Sequence, residues 1–593
     1  MNYATNSASH GPTSNGNDRL DSWKEIAAYL KRDLRTVQRW EEKEGLPVHR
    51  HLHSRQGSVY AYKTELDAWW TKRRPKDQAT KDQSTSSVVD TSAATAPGRK
   101  IGRIYTVGVV ILILLSIGGV VLWRTARRRT WWTAQRMTLA VLPFEVLSDS
   151  PDDAYLADGL TDDLITDLGR TGQIEVISRT SVMQFKGKHQ PLIQTAQALN
   201  ARLIVEGAIA HSGERLRITV QLIDAANDRH VWADSYERDY KNVLSLQDDI
   251  AGDITAAMTE KLRGAAAILV PARPVNPDAR SSYLLGRYYW SNRNEGGLKQ
   301  AIRYFQKAIS KDSDYAAAYA GLADCYNLLS VWGSMTPSES FPEAARDARI
   351  AIQLDPNSAE AYTSLAFETY RYGWDFTQAE KEFQKAITLN PNYSTAHQWY
   401  GEFLGDITRF DQGIGELHKA EQLDPLSSIV SSDLAAALVH AGRTQEAIDV
   451  LKHALAMHPD FVPAHLYLAD TYELLGRSAE AEQERLIYVR LSGDSGQLVK
   501  LQISKDWAAG RRDLAQREIE KLATDAKEGR FGYFQLAQIY ERAGERDEAY
   551  ACLEKAYQEH SWWLVTLEVD TVFAPLRHDP EFSDLVHRVG LPN

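Results

Sequence analysis

Four prolines divide the second half of the chain at a nearly fixed interval: Pro356, Pro391, Pro425 and Pro459, separated by 35, 34 and 34 residues. Each closes a run with helical spacing: "ARDARIAIQLDP", "AEKEFQKAITLNP", "GIGELHKAEQLDP" and "AIDVLKHALAMHP". Each is followed by the start of another: "AYTSLAF", "HQWYGEF", "SSDLAAAL" and "AHLYLAD". Proline cannot continue a helix, so it marks the turn between one helix pair and the next. Small residues recur at matched places, Ala366, Gly401, Ala435 and Ala469 in one helix of each pair and Ala351, Ala386, Ala420 and Ala454 in the other. Small side chains let two helices cross closely, while Phe305, Phe383 and Leu451 fill the space between. A single unit of this kind cannot bury its apolar face alone, so the units must stack into an all-α array.

The period and pattern resemble the tetratricopeptide repeat. The resemblance covers residues 280–593, opens near Arg280, and includes a late unit in "GYFQLAQIYERAGERDEAYACLEKAY". About seven or eight units fit, with a degenerate one near Leu498 to Lys527 and an apolar cap from Trp562 to Leu585. Such a solenoid implies a concave surface for a protein or peptide partner, with Asp324, Asn327, Gln398 and Glu402 facing it. No cluster of Lys and Arg suited to a terminal carboxylate stands out along the repeats, so the partner stays unnamed. Cys325 and Cys552 fall at apolar helix positions and read as small core residues, neither a disulfide nor metal ligands.

The opposite end of the chain differs in charge. The whole carries a net charge of −11, yet residues 19–74 hold thirteen Lys/Arg and eight Asp/Glu. A small basic head on an acidic body confines any nucleic-acid contact to the head. Residues 1–18 are polar, without the apolar run of a signal peptide, and read as a disordered tail. Ser22 with Glu25 forms a capping box, and Ile26, Tyr29 and Leu30 continue an apolar face. Asp33 can cap a second helix whose Leu34, Val37 and Trp40 point inward while Arg35, Gln38, Arg39 and Glu42 point outward; Gly45 stops it. The alternation from His49 to His53, a turn and "VYAY" give a hairpin wing, and Thr64 opens a last helix with Leu66, Trp69 and Trp70.

The stretches "SWKEIAAYL", "RTVQRWE", "LPVHRH" and "GSVYAY" resemble the winged helix-turn-helix of MerR and excisionase proteins. By that resemblance Arg35, Thr36, Gln38 and Arg39 meet base edges in the major groove of double-stranded DNA, while Arg32, Arg50, His51, His53, Arg55 and Gln56 follow the backbone or minor groove. Glu41, Glu42 and Glu44 lie at the far end of the second helix, where they constrain the docking angle. His49, His51 and His53 lack the Cys or carboxylates that would complete a metal site, so no metal or cofactor is expected.

Residues 75–104 are rich in Ser, Thr, Asp and Ala and read as a flexible linker. Residues 105–123 carry no charge and are framed by Tyr105 and Trp123, the length and flanks of a single transmembrane helix in the lipid bilayer. Arg124, Arg127, Arg128, Arg129 and Arg136 argue for a cytoplasmic C-terminal side, whereas a DNA-reading head requires a cytoplasmic N-terminus. The expectation follows the head: a single-pass inner-membrane protein, N-terminus inside and C-terminal domains periplasmic.

Residues 138–262 read as an α/β domain. "TLAVLPF" is a buried strand, 154–168 has helical spacing, 175–178 is a second strand, and the run from Ala201 to Arg238 alternates as three strands with turns at Ser212-Gly213 and Asn227-Asp228. The words "AVLPF", "ADGLTDDLITDL", "VISRTSV", "VEGAI" and "HVWADSYER" resemble the TolB N-terminal and FlgO-like domain, which implies a binding or assembly module. Asp152, Asp153, Asp158, Asp162, Asp163 and Asp167 read as a solvated acidic helix start, and the chain shows no P-loop, GxSxG, HExxH or kinase set.

The sequence therefore describes a multidomain chain: winged helix-turn-helix, single transmembrane helix, α/β domain and tetratricopeptide solenoid. It reads as a non-enzymatic, membrane-tethered transcriptional regulator, a layout resembling regulators of the CadC type. Its C-terminal domains would sense or bind a protein or peptide, with a homodimer as one arrangement. The rival is a membrane-anchored protein–protein scaffold whose head does not bind DNA.

Overall fold

The computed structural model describes residues 19–73, save 21, 33 and 51–58, and residues 138–592, save 148–150, 173, 213–214, 240–249, 251–252, 255–274, 292, 332–334 and 495. The chain divides into two compact units, one within residues 1–118 and one within 119–593. The expected tail 1–18, linker 75–104 and span 105–123 lie outside the described residues. No helix among the described residues is long and apolar enough to cross a membrane. The single-pass inner-membrane location expected from the sequence is corrected on that finding, and the account that follows uses no membrane.

In the head, Ser22 caps α1 (Trp23–Leu30) by accepting from Glu25 N, as the capping box requires. Lys31 ends α1 in the left-handed conformation. After α2 (Leu34–Glu44), Gly45 turns the chain in the left-handed conformation with φ +65°, and Leu46 N donates back to Trp40 O at 3.1 Å. The wing is an antiparallel sheet in which β3 (Val59–Tyr62) lies between β2 (His49–Arg50) and β1 (Arg19–Leu20), a strand the sequence did not announce. The α3 helix (Lys63–Arg73) closes the unit. Ile26, Val37, Trp40, Ala61 and Leu66 form its core, with Trp69 and Trp70 packed against Trp40 at 5.7 and 5.5 Å between ring centroids.

The second unit opens with a six-stranded sheet. Its β4 (Thr138–Val141) runs parallel to β6 (Glu175–Val176) and to β7 (Leu203–Ser212). Strand β5 (Glu145–Val146) also pairs with β7, and β8 (Arg215–Asp224) and β9 (Arg229–Asp239) continue antiparallel. Alternation along β4 sends Leu139 and Val141 to one face, against Leu160, Leu164 and Leu168 of α4 (Pro151–Arg170). It sends Ala140 to the other face, with Val182 of α5 (Arg179–Val182) and Ala196 of α6 (Leu192–Ala198).

Eight helix pairs follow among the described residues. They are Pro277–Trp290 with Glu295–Lys311, Ala316–Val331 with Pro337–Leu354, Ala359–Arg371 with Phe376–Leu389, and Ser394–Asp406 with Phe410–Leu423. Then come Ser428–His440 with Thr444–Met457, Val462–Leu474 with Ser478–Ser492, Gly496–Ala508 with Arg512–Lys527, and Tyr533–Ala543 with Arg546–Gln558. The unit read as degenerate is a complete pair. The small residues act as the spacing implied: a Cβ on Gly413 would stand 2.7 Å from Gly401 O. The cap comprises two 3-10 turns and the helix Pro580–Val589. It packs against the third pair, where His560 stacks on Trp374 at 4.1 Å between ring centroids. Trp290, Tyr370, Trp399, Phe534, Phe573 and Leu591 accordingly belong to one continuous core.

Candidate functional site

On the head, α2 carries Val37 and Trp40 inward, which leaves Arg35 and Arg39 exposed, with Arg32 exposed just before the helix. Thr36 and Gln38 on the same helix are half-buried. The side chain of Arg50, and all of His51, His53, Arg55 and Gln56, lie outside the described residues. His49 is already engaged: its Nε2 is 2.7 Å from Glu65 Oε2 and its ring stacks on Tyr60.

The acidic face of α4 is engaged as well. Asp158 pairs with Lys186 at 2.6 Å, Asp162 faces Arg179 Nε at 3.5 Å, and Asp163 pairs with Arg280 of the first repeat. The last contact belongs to a broader junction in which the α/β domain seats on the turns between repeats. Asn392, directly after Pro391, donates from Nδ2 to Gly169 O (2.8 Å) and Ile174 O (2.9 Å) and accepts from Val176 N (3.2 Å). One repeat further on, Leu426 directly after Pro425 joins the core beneath α5 and α6. Its N–H donates to Ser181 Oγ at 3.0 Å, and Ser181 Oγ donates to Asp424 Oδ1 at 2.5 Å. Ser178 N donates to Leu423 O, Gln184 Nε2 to Leu426 O, and Lys419 pairs with Glu175 at 2.7 Å. The 34-residue period thus presents the same turn position to one domain edge twice.

Between the two layers lies a cavity of about 530 Å³, walled by α4 and α5 on one side and by the first, third, fourth and fifth repeats on the other. Arg179, Arg287, Arg293, Trp290, Tyr393 and Gln398 are among its lining. Arg287 pairs with Asp324 at 3.3 Å, and Ser364 Oγ also donates to that carboxylate. Burial pushes Asp324 up to about 6 even so, because the neighbouring guanidinium offsets only part of its desolvation.

The four groove residues expected from the sequence lie on the inner helices of the array. Asp324 and Asn327 are fully buried; Asn327 Nδ2 donates to Ser364 O at 2.9 Å, while its Oδ1 meets no donor among the described residues. Helix crossing sets Asp324 against Arg287 and Ser364, and Asn327 against Ser364, across successive repeats. Gln398 lines the cavity and donates to Asp433 Oδ2 at 2.6 Å. Glu402 binds Arg371 at 2.9 Å, and Arg371 also faces Asp406 at 3.3 Å. Sequence reading missed Asn392, Arg287, Arg293 and Arg179. Their one common signal is position, at helix ends and post-proline turns, and nothing in a single repeat reveals that another domain meets them there.

Comparison with known proteins gives names to the parts. Residues 134–252 match the family described as HilA/YgeH-like transcriptional regulator, second domain. Residues 438–484 and 532–558 match tetratricopeptide repeat families. The TolB N-terminal/FlgO-like and MerR/excisionase resemblances are not shown by these matches. The chain is 30% identical over 232 residues to the putative adenylate cyclase 3 of Rhizobium meliloti (strain 1021), which covers 39% of this chain and 39% of that protein. It is 22% identical over 148 residues to the transcriptional regulator HilA of Salmonella paratyphi A (strain ATCC 9150 / SARB42), covering 25% of this chain and 27% of that one. The chain therefore matches well under half the length of either relative. Among solved structures, a thermophilic TPR protein of Thermus thermophilus resembles 32% of this chain over 98% of its own length, at 19% identity and a TM-score of 0.28. Taken by parts, the chain is a multidomain protein that joins a HilA/YgeH-like regulator domain to tetratricopeptide repeats.

Proposed function

We propose that this chain is a transcriptional regulator whose helix-turn-helix head binds duplex DNA and whose joined α/β and repeat domains bind a protein or peptide partner. The reading rests chiefly on the HilA/YgeH-like regulator match over residues 134–252. The head adds a physical reason: α2 exposes Arg35 and Arg39 on one face, where guanidinium groups can reach guanine edges or phosphates. The repeats supply the stacked helices that tetratricopeptide proteins use to hold peptides. In this reading the chain is not an enzyme, and the cyclase named among its relatives shares only part of its length.

The test is fluorescence anisotropy of the full chain with random-sequence duplex DNA across a salt series. Arg35→Ala combined with Arg39→Ala is expected to weaken binding by about tenfold or more and to lower the salt slope by about 2. Circular dichroism would verify that the head still folds. An intact chain without affinity for duplex DNA would overturn the reading and leave a protein-interaction scaffold.

A further inference from the structure

The cavity between the α/β domain and the repeats holds a guanidinium, that of Arg293, which no carboxylate among the described residues meets in a direct ion pair. Three of the four carboxylates that line it are engaged: Asp162 faces Arg179, Asp424 accepts from Ser181, and Glu360 accepts from Ser358 Oγ at 3.2 Å, while the fourth, Asp460, is exposed. Arg287 is committed to Asp324. The guanidinium of Arg293 has no ion-pair or hydrogen-bond partner among the described residues and instead lies over Trp290, 3.9 Å from the ring centroid. Arg287 lies over the same indole at 4.3 Å. Arg293 has φ +49°, in the turn that ends the Pro277–Trp290 helix, where its N–H donates back to Trp290 O. Trp290 is 3% exposed, yet its Nε1–H, which can only donate, meets no acceptor. A buried donor left unmet is a group waiting for an acceptor. Farther along, the lining includes Ile429, Met457 and Phe461, with the polar Ser428, His458 and Asp460 among them.

We propose that this cavity is a binding site for a small organic anion, with its carboxylate or phosphate group on Arg293 and the Trp290 N–H and its apolar body against Ile429, Met457 and Phe461. A volume of about 530 Å³ suits a molecule of metabolite size. Because α4 and α5 wall one side and the repeats the other, an occupant touches both layers and stabilises their junction. Burial holds the Arg293 guanidinium below its ordinary pKa, although Asp324 and Asp433 raise it, so an anion arriving here also restores its preference for charge. The site stands whether or not the head reads DNA.

The probe is 1-anilinonaphthalene-8-sulfonate, an anion with an apolar body, titrated by fluorescence into the full chain. One saturable site is expected. Phenyl phosphate or benzoate should displace the probe, whichever succeeds identifying the preferred head group, and benzyl alcohol should not. Arg293→Gln is expected to weaken the probe by about tenfold or more without lowering the thermal midpoint, as loss of a charge-assisted hydrogen bond requires. Trp290→Phe, which keeps the ring and removes the donor, should weaken it less. Equal affinity for neutral N-phenyl-1-naphthylamine would overturn the proposal, as would failure of both anions to compete or unchanged affinity in a folded Arg293→Gln chain. The competition is read on the unmodified chain, so it decides the matter even if the variants do not fold.

Discussion

At the scale of single residues, close packing and buried charge decide most. Gly207 sits mid-strand in β7, where a glycine ordinarily weakens a sheet. Its place follows from Phe144, whose ring lies across the position that a Cβ would occupy. Gly207→Ala is therefore expected to destabilise the protein by about 1–3 kcal/mol through overpacking. Chemical denaturation would measure this, and Phe144→Leu in the same chain should recover part of the loss; a neutral Gly207→Ala would show that the ring moves aside freely. A second residue sets a pH dependence. Arg371 supplies one positive charge to two buried carboxylates, Glu402 and Asp406. Desolvation, together with Glu402, pushes Asp406 up to about 7 despite the arginine. The folded state therefore holds this proton more tightly than the unfolded chain, for which about 3.9 is usual. The stabilisation is complete below about 4 and lost as pH rises through about 7. Thermal midpoints should fall between about pH 4 and about pH 7, and Asp406→Asn should flatten that decline. A variant whose profile matches the unmodified chain would assign the slope elsewhere. Neither effect is legible in sequence, where Gly207 is one small residue in an alternating strand and Asp406 one acid in a helix.

At the scale of elements, periodicity carried far and contacts between domains did not show. The helix pairs, the capping box at Ser22 and the three antiparallel strands are local, so spacing and turn residues specify them. Strand β1 is two residues long and β5 likewise, too short for any alternation to declare them. The junction is invisible for a different reason. Asn357, Asn392, Leu426 and Asp460 all follow a repeat proline, and only the α/β domain's position makes Asn392 and Leu426 special. Asn392 satisfies two carbonyls and one N–H at the end of α4 and the start of β6. Removing its side chain leaves those groups without their partner, a loss of about 1–3 kcal/mol. Asn392→Ala should loosen the α/β domain selectively: hydrogen exchange in residues 169–176 should speed up while the helices of the last repeats keep their protection. Uniform exchange across both layers, unchanged from the parent chain, would mean that Leu426 and the Lys419–Glu175 pair hold the junction without it.

At the scale of the whole second unit, the end of the array folds back onto its middle. Repeat proteins usually derive stability from nearest neighbours, so the last unit is indifferent to those far back in sequence. Here the cap returns to the third pair: Trp374 is stacked between His560 and Tyr557, at 4.1 and 5.3 Å, and Arg371 lies 5.0 Å from the Trp562 ring centroid. The cap and the third pair thereby share a core, and the hydrophobic cluster running from Trp290 to Leu591 is the result. Nothing in a 34-residue period encodes such a return, because it depends on the summed rotation of many units. Trp374→Ala removes the ring that both aromatic neighbours share, for a half-buried aromatic a loss of about 2–3 kcal/mol. If the return depends on that stack, the variant will scatter X-rays with a larger radius of gyration and its cap will exchange amide hydrogens faster, while the α/β junction around Asn392 stays protected. Were the radius unchanged and only the melting point lowered, the Arg371–Trp562 contact and the core behind it would be sufficient to keep the cap on the third pair.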